Sequence, residues 1–298
     1  MSKKVEDFIE NLNVTRDISS KFAVSEKIIR TSAKGRKYLD LSLADKTGQM
    51  DGRMFIPDVD IIFESINLGR VYNVIGRISE FPLDSGKYNM VVNIIDELKE
   101  GEYLLEDFVM ISQNNSDDQI AEINRAINEV QNIHIKNLLK AFFCDSDFTK
   151  EFYIAPAAIV HHHNYMGGLL DHSVEILDIC RTMCKIFQDL NKDLLYCGVL
   201  LHDIGKIKTY TYGTGPIGFS EEGDLLDHIY ISCEMVKERM IKLETPEELS
   251  NQILHMILSH HGYVSDGWGS PVDPKTPEAL TLHFADNMDA KVKEALQR

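Results

Sequence analysis

The residues best suited to chemistry are the histidines and aspartates in the later part of the chain. Nine of the eleven histidines fall between positions 161 and 261. His202 and Asp203 end an apolar run that begins at Cys197, and an adjacent imidazole and carboxylate are costly to bury unless something satisfies both. A cation does so, and nitrogen and oxygen ligands without thiolate suit manganese, iron, nickel or zinc. The dyad therefore predicts a metal site.

Further histidines and an aspartate that could complete such a site lie at intervals along the chain. They are His172, His228, His260, His261 and Asp286. Side chains presented from several helices into one interior are a known way to hold two cations, with a carboxylate bridging them. Such a pair of cations lowers the pKa of a water and clamps phosphoryl oxygens. A two-cation site of this kind fits phosphodiester hydrolysis.

Two further side chains are candidates for a catalytic role beside Asp203. Lys206 stands three residues after Asp203 and could offset phosphate charge, although a solvated lysine at a helix end is the alternative. His163 ends the triplet that begins at His161 and could reach the substrate phosphate or protonate the leaving oxygen. For the triplet, ordinary packing or exposure to water is the alternative.

The first hundred residues show short β-rich runs separated by turn residues. The runs cover 22–30, 37–44, 52–56, 71–78 and 87–95, with a helical segment at 59–66. Five strands with one helix after the third are the plan of an OB-fold. Beyond residue 98 the pattern becomes helical. Helices are predicted at about 168–187, 193–203, 226–242, 246–260 and 277–296, with loops at 204–223 and 262–276.

These patterns predict an α+β multidomain protein, with a five-stranded OB-fold β-barrel before an all-α helical bundle. The predicted domains are an N-terminal extension at 1–14, the barrel at 15–100 and the bundle at 101–298, which includes a helical connector to about 155. The net charge of −16 argues against binding of nucleic acid by bulk electrostatics. The acidic excess belongs to the bundle, because 15–100 holds 13 basic and 13 acidic residues and 101–298 holds 16 and 31.

The predicted barrel carries a cluster of basic and aromatic residues around its first two strands. OB-folds bind single strands through a basic groove and stacking rings, and the loop between strands one and two is a usual contact. The candidates are Arg30, Lys34, Arg36, Lys37, Tyr38, Arg53 and Phe55. Trp268, the single tryptophan, follows the histidine doublet and could stack on a terminal base. The alternative for Tyr38, Phe55 and Arg53 is a structural place in the barrel or on its surface. The alternative for Trp268 is packing within its loop.

Several segments resemble known sequences closely enough to suggest a family. They are His162–His172, Leu201–Lys206, Ser259–Gly262, Gly269–Pro271, Pro274–Ala279 and Leu282–Ala290. The order of metal ligands resembles the two-metal form of HD-domain phosphohydrolases. Together with the OB-like module, the segments resemble the YhaM family of bacterial 3'-5' exoribonucleases over nearly the whole chain.

The resemblance implies a distribution of ligands and a substrate. It assigns His172, His202, Asp203 and Asp286 to one ion and His228, His260 and His261 to the second, with Asp203 as the bridge. It favours manganese as the metal of both positions. It also implies removal of nucleotides from the 3' end of single-stranded RNA, with single-stranded DNA as a further candidate.

Two other functions fit part of the pattern. An HD-GYP-like cyclic-dinucleotide phosphodiesterase has a comparable ligand order, but its glutamate and GYP triplet after the doublet are absent from Gly262–Trp268. A non-catalytic RNA-binding protein with a vestigial metal site is the second. No run approaches the ~20 apolar residues of a membrane span, so no membrane partner and a cytoplasmic location are expected. The sequence leaves the oligomeric state open.

Overall fold

The chain forms two compact units. The computed structural model describes residues 2–32, 35–99, 101–159, 163–213, 217–267 and 269–296. One unit comprises Met1–Met110 with Tyr212–Pro216, and the other comprises Ile111–Thr211 with Ile217–Arg298. Among the helices of the described ranges, none combines the length and the apolar character that crossing a membrane requires.

The first unit is a closed five-stranded barrel. Its strands are β1 Arg16–Thr31, β2 Lys37–Asp45, β3 Gly48–Met54, β4 Val71–Glu80 and β5 Tyr88–Glu97, and α1 spans Val59–Ser65. The strands pair in the order β1-β2-β3-β5-β4, with β1 also antiparallel to β4. The α1 helix lies between β3 and β4 in sequence, which confirms the predicted OB-fold plan.

β1 is long because it pairs with two different strands. Its first half, from Arg16 to Ala23, pairs with β4, and its second half pairs with β2. A register shift between Val24 and Glu26 lies where the strand changes partner, and such bulges bend strands. The predicted run began six residues late, at Phe22. The missed residues, 16–21, include a single buried apolar residue, Ile18, and therefore show little hydrophobic alternation.

The residues before β1 pack on the barrel through two short 3-10 turns, Val5–Asp7 and Ile9–Asn11. Leu12 is buried in the barrel core. Lys3 is buried too, and its ammonium forms an ion pair with Asp45 at the end of β2. The stretch predicted as a separate extension therefore contributes to the core of this unit.

The second unit is helical. Its helices are α2 Ser116–Glu129, α3 Ile133–Phe143, α4 Ser146–Ile154, α5 Gly168–Ile186, α6 Lys192–Leu201, α7 Lys206–Thr209, α8 Glu221–Lys242, α9 Glu247–Ser259 and α10 Pro277–Leu296. The prediction of a loop over 204–223 was wrong in part. This stretch contains α7, two short paired strands, β6 Tyr210–Thr211 and β7 Gly218–Phe219, and the first turn of α8. Elements this short show no hydrophobic period in the sequence.

The α6 helix forms the centre of this unit. Every residue from Leu194 to Leu201 is buried, because the run is apolar on all sides and packs against α5, α9 and α10. Its carboxyl end therefore delivers the next residues to the interior. Gly205 permits the close approach of α8 there, since a Cβ at this position would lie 2.3 Å from the carbonyl oxygen of His228.

Candidate active site

The structure brings the seven predicted metal ligands together inside the helical unit. They come from α5 (His172), the end of α6 (His202 and Asp203), α8 (His228), the end of α9 (His260 and His261) and α10 (Asp286). The chain segments between them carry no common motif. The packing of α6 against α5, α9 and α10, together with that of α8 against α7 and α9, places these side chains in one chamber.

Asp203 lies at the centre of the chamber, and its two oxygens face different imidazoles. Oδ2 is 3.4 Å from Nε2 of His172 and 3.3 Å from Nε2 of His202. Oδ1 is 3.4 Å from Nε2 of His228 and 3.5 Å from Nε2 of His260. Asp286 adds a second carboxylate, with Oδ1 3.2 Å from Nε2 of His172. The Asp203 carboxylate is thus placed to bridge two positions.

The hydrogen bonds of the rings indicate what belongs between them. Nδ1 of His202 lies 2.9 Å from the Val199 carbonyl, and Nδ1 of His260 lies 2.7 Å from the Ile257 carbonyl. Since a carbonyl only accepts, each Nδ1 carries a proton, and the neutral form of each ring turns the lone pair of Nε2 toward Asp203. Within the described ranges, these two Nε2 atoms and Oδ1 of Asp203 have no hydrogen-bond partner although they are buried.

A lone pair that faces a carboxylate is repelled by it unless a cation lies between them. The separations of 3.2–3.5 Å among these atoms exceed ordinary hydrogen bonds. Ligand bonds of about 2.0–2.2 Å place neighbouring ligand atoms roughly 3.0–3.5 Å apart. The donor set and its spacing therefore fit divalent cations.

The charges in the chamber agree with this fit. Burial lowers the pKa of His228 and of His260, and burial together with His260 lowers the pKa of His261 to about 4. These rings are therefore neutral, as metal ligation requires. Burial alone would raise the pKa of Asp203, yet Lys206 and His202 hold it well below its ordinary value. His172 is the exception: burial opposes a charge on it, but the surrounding carboxylates raise its pKa well above normal, so this ring would lose a proton when a cation binds.

Lys206 is a buried partner of Asp203 and not a solvated lysine. It is the first residue of α7, its side chain is 8% exposed, and its Nζ lies 2.6 Å from Oδ2 of Asp203. Burial would lower the pKa of Lys206, but Asp203 raises it above its ordinary value. The ammonium group is therefore charged and lies at the wall of the chamber.

His163 lies behind the chamber and not inside it. Its side chain is 0% exposed, its Nδ1 lies 2.9 Å from the Tyr165 hydroxyl and its Nε2 lies 3.1 Å from Oδ2 of Asp289. The predicted contact with substrate or leaving group does not fit this placement, because both ring nitrogens bind protein groups. His161 and His162 lie outside the described residues.

Two carboxylates that the sequence did not single out touch two of the candidate ligands. Asp289 accepts a hydrogen bond from Nδ1 of His172 at 2.7 Å, and Asp227 is paired with Nδ1 of His228. The 2.7 Å distance is too short for two ligands of one cation, so Asp289 is an outer partner. Its position three residues after Asp286, on the same face of a helix, was the available signal.

Comparison with known proteins places these residues in a family. The HD domain model matches residues 169–291, a range that contains all seven ligands. The "3'-5' exoribonuclease YhaM" of Geobacillus sp. is 32% identical over 265 residues, which cover 88% of this chain and 78% of that protein. The proteins of the same name from Listeria welshimeri and Shouchella clausii are 30% and 31% identical, covering 98% and 91% of this chain and 90% and 85% of theirs. The chain belongs to the YhaM family.

The barrel of this YhaM-family protein carries aromatic residues on adjacent strands. The rings of Tyr38 on β2 and Phe55 after β3 lie 5.2 Å apart, and Phe55 is 58% exposed. The guanidinium of Arg53 lies 5.4 Å from the centre of the Phe81 ring, which follows β4 and is also exposed. Phe81 was not predicted, because a phenylalanine in a turn shows no pattern in the sequence.

Three of the basic residues predicted to contact nucleic acid are paired with acids. Arg30 lies 2.6 Å and Arg53 lies 3.6 Å from the Asp40 carboxylate, and Lys37 lies 3.0 Å from Asp60. Arg36 is exposed in the turn between β1 and β2. Of the other predicted contacts, Lys34 and Trp268 lie outside the described residues. The free positive charge of this face is therefore smaller than the sequence suggests.

Proposed function

We propose that this YhaM-family protein is a metal-dependent 3'-5' exoribonuclease that hydrolyses phosphodiester bonds at the 3' end of single-stranded RNA in the cytoplasm. The observation that carries the proposal is the Asp203 carboxylate, whose two oxygens each face a separate group of imidazoles in a buried chamber. A chamber of this kind fits a pair of cations acting on a phosphate. Single-stranded DNA is a second candidate substrate.

Two groups of residues would hold the cations. The Asp286 position comprises His172, His202 and Asp286, and the His261 position comprises His228, His260 and His261, with Asp203 shared by both. We propose manganese at both, because imidazole and carboxylate ligands without thiolate accept it. When bound, such ions lower the pKa of a water and neutralise phosphoryl oxygens.

The protein's own side chains bind and orient the substrate. Lys206 carries a charged ammonium group beside Asp203, where it can attract a phosphoryl oxygen of the terminal linkage. Asp286 and His261 are the more exposed of the ligands, whereas the other five are buried. The 3' end therefore enters from their side. In the barrel, the rings of Tyr38 and Phe55 provide a surface on which bases can stack.

A time course on 5'-labelled single-stranded RNA tests this function directly. With manganese we expect a ladder of progressively shorter labelled products, and with chelator we expect no cleavage. A parallel time course on single-stranded DNA measures the preference between the two. Hydrolysis of cyclic di-GMP while the RNA remains intact would instead favour the HD-GYP-like function. RNA that binds but keeps its length in manganese would favour a non-catalytic protein.

Charge variants of the barrel test its role in binding. With chelator present to prevent cleavage, we expect Arg36→Ala with Lys37→Ala to weaken binding of an RNA oligomer and to reduce the slope of log Kd against log salt by about 1. Asp40→Asn should tighten binding by roughly 3- to 10-fold, because it frees Arg30 and Arg53 for phosphate.

The matched control is Asp51→Asn, which removes the same charge from an exposed site on β3. Among the described residues, Asp51 has no arginine partner in an ion pair. An equal increase in RNA affinity for Asp51→Asn would show that the effect of Asp40→Asn comes from net charge alone. Weaker binding by Asp40→Asn would contradict the assignment of this face.

A further inference from the structure

The rings of the chamber are held from behind by different kinds of group. Nδ1 of His202 and of His260 donate to backbone carbonyls. Nδ1 of His172 is held by Asp289, and Nδ1 of His228 is held by Asp227. Each metal position therefore has one ring held by a backbone carbonyl and one held by a carboxylate. Carboxylates behind a metal-bound imidazole fix its orientation and increase its basicity.

Asp289 is fixed on several sides. It is 5% exposed on α10, and its Oδ2 lies 2.7 Å from His172 and 3.1 Å from His163. His163 in turn bonds the hydroxyl of Tyr165, which donates to Asp171 at 2.8 Å. The Asp171 carboxylate also accepts from Ser112 and Gln119. This network leaves Asp289 little freedom, so His172 is held in one orientation.

Asp227 is in a different situation. Its side chain is 63% exposed, where water competes for its hydrogen bonds. Its backbone has φ 62° and ψ 153°, which interrupts the helical geometry of α8 immediately before His228. This backbone region is unfavourable for a non-glycine residue, so the conformation that holds Asp227 behind His228 is strained. The support of His228 is therefore weaker than that of His172.

The carboxylates of the two positions also favour tighter binding of a cation at the Asp286 position than at the His261 position. Asp286 gives its position a carboxylate of its own in addition to a share of Asp203. Among the described residues, the His261 position comprises three imidazoles and the other oxygen of Asp203, and Asp286 is a direct partner of His172 instead. A cation that prefers oxygen ligands gains more from two carboxylates than from one.

We propose that Asp289 and Asp227 are positioning residues that make the two metal positions unequal. The Asp286 position holds its manganese ion tightly, and the His261 position binds manganese weakly and exchanges it with the medium. The inference rests on the proposed two-metal hydrolase. It adds a form of regulation, since cleavage would follow the concentration of free manganese over the range in which the His261 position fills.

Titration of the chelator-stripped full chain with MnCl2, in competition with a chromophoric chelator, tests the proposal without RNA. We expect two binding classes whose dissociation constants differ by at least about 10-fold. Asp289→Asn should weaken the tight class by about 10- to 100-fold, and Asp227→Asn should weaken the weak class by a similar factor. RNA cleavage by the unmodified protein should rise with the weak class.

Two carboxylates on the same helices serve as controls. Glu278→Gln alters a buried carboxylate of α10 that accepts from the backbone amide of Asn191, and Asp224→Asn alters an exposed one of α8. Both should leave the two classes unchanged. Melting temperatures of the metal-free variants separate a general loss of stability from a loss of metal affinity.

The outcomes distinguish this inference from the proposed function. Two equal classes, or Asp289→Asn acting on the weak class, would overturn the inference while RNA cleavage remains intact. A lower melting temperature with unchanged affinities would show that Asp289 is only structural. Two unequal classes without any RNA cleavage would leave the inequality in place and remove the proposed function. Absence of manganese binding would overturn both.

Discussion

Replacement of Asp203 by asparagine is expected to lower the rate of RNA cleavage by at least about 1000-fold, which corresponds to roughly 4 kcal/mol. The carboxylate faces both groups of imidazoles. Its loss therefore removes a ligand from each metal position at once, while the amide keeps nearly the same shape. Single-turnover cleavage of labelled RNA in manganese measures the effect, and metal analysis of the purified variant should show the loss of bound manganese.

Asp193→Asn is the matched control for this experiment. Asp193 lies in the first turn of α6, at the opposite end from the dyad, and accepts hydrogen bonds from the backbone amides of Gln131 and Asn132. This variant should retain its manganese and its rate. RNA binding, which we assign to the barrel, should change little in either variant. A cleavage rate in Asp203→Asn within tenfold of the unmodified protein would exclude a bridging carboxylate.

Lys206→Met is expected to reduce cleavage by about 100-fold without loss of metal. Methionine retains an unbranched side chain but removes the charge that lies 2.6 Å from Oδ2 of Asp203. The terminal phosphate then loses a positive partner, whereas Asp203 loses a competitor for its oxygen. Manganese affinity should therefore stay the same or increase. Parallel measurements of the cleavage rate and of manganese binding separate this role from that of a ligand.

Lys208→Met removes the same charge from the exposed side of α7 and should leave the cleavage rate unchanged. Equal losses in the two lysine variants would indicate a general effect of charge on RNA attraction. A loss of manganese in Lys206→Met would contradict its placement beside the phosphate and would make the ion pair with Asp203 purely structural.

Strands and helices could be predicted from the sequence where their hydrophobic pattern extends over many residues. The runs of the barrel and the long helices α5, α9 and α10 lie close to their predicted positions. Short or polar elements were missed, as with the first half of β1 and the α7 helix. Their backbone is fixed by neighbouring strands and helices, and their own side chains alternate too little to show it.

The candidate site could be predicted from the sequence only in part. Ligand types, and the resemblance of their order to HD-domain phosphohydrolases, predicted the seven residues that lie together in the chamber. Their binding of cations stays a prediction. The carboxylates behind the ligand rings could not be predicted from the sequence. Asp227 and Asp289 act through contacts at the backs of His228 and His172, and those contacts depend on how the helices pack. The position of His163 was not predictable either, because helix packing places its ring behind the chamber, beside Asp289.

The central claim is that two cations lie on either side of the Asp203 carboxylate. Anomalous diffraction from crystals grown with manganese tests it most directly, because each bound ion produces its own peak. We expect two peaks, one among His172, His202 and Asp286 and one among His228, His260 and His261, with Asp203 in contact with both. The absence of any peak beside Asp203, or a single peak that all the ligands share, would contradict it.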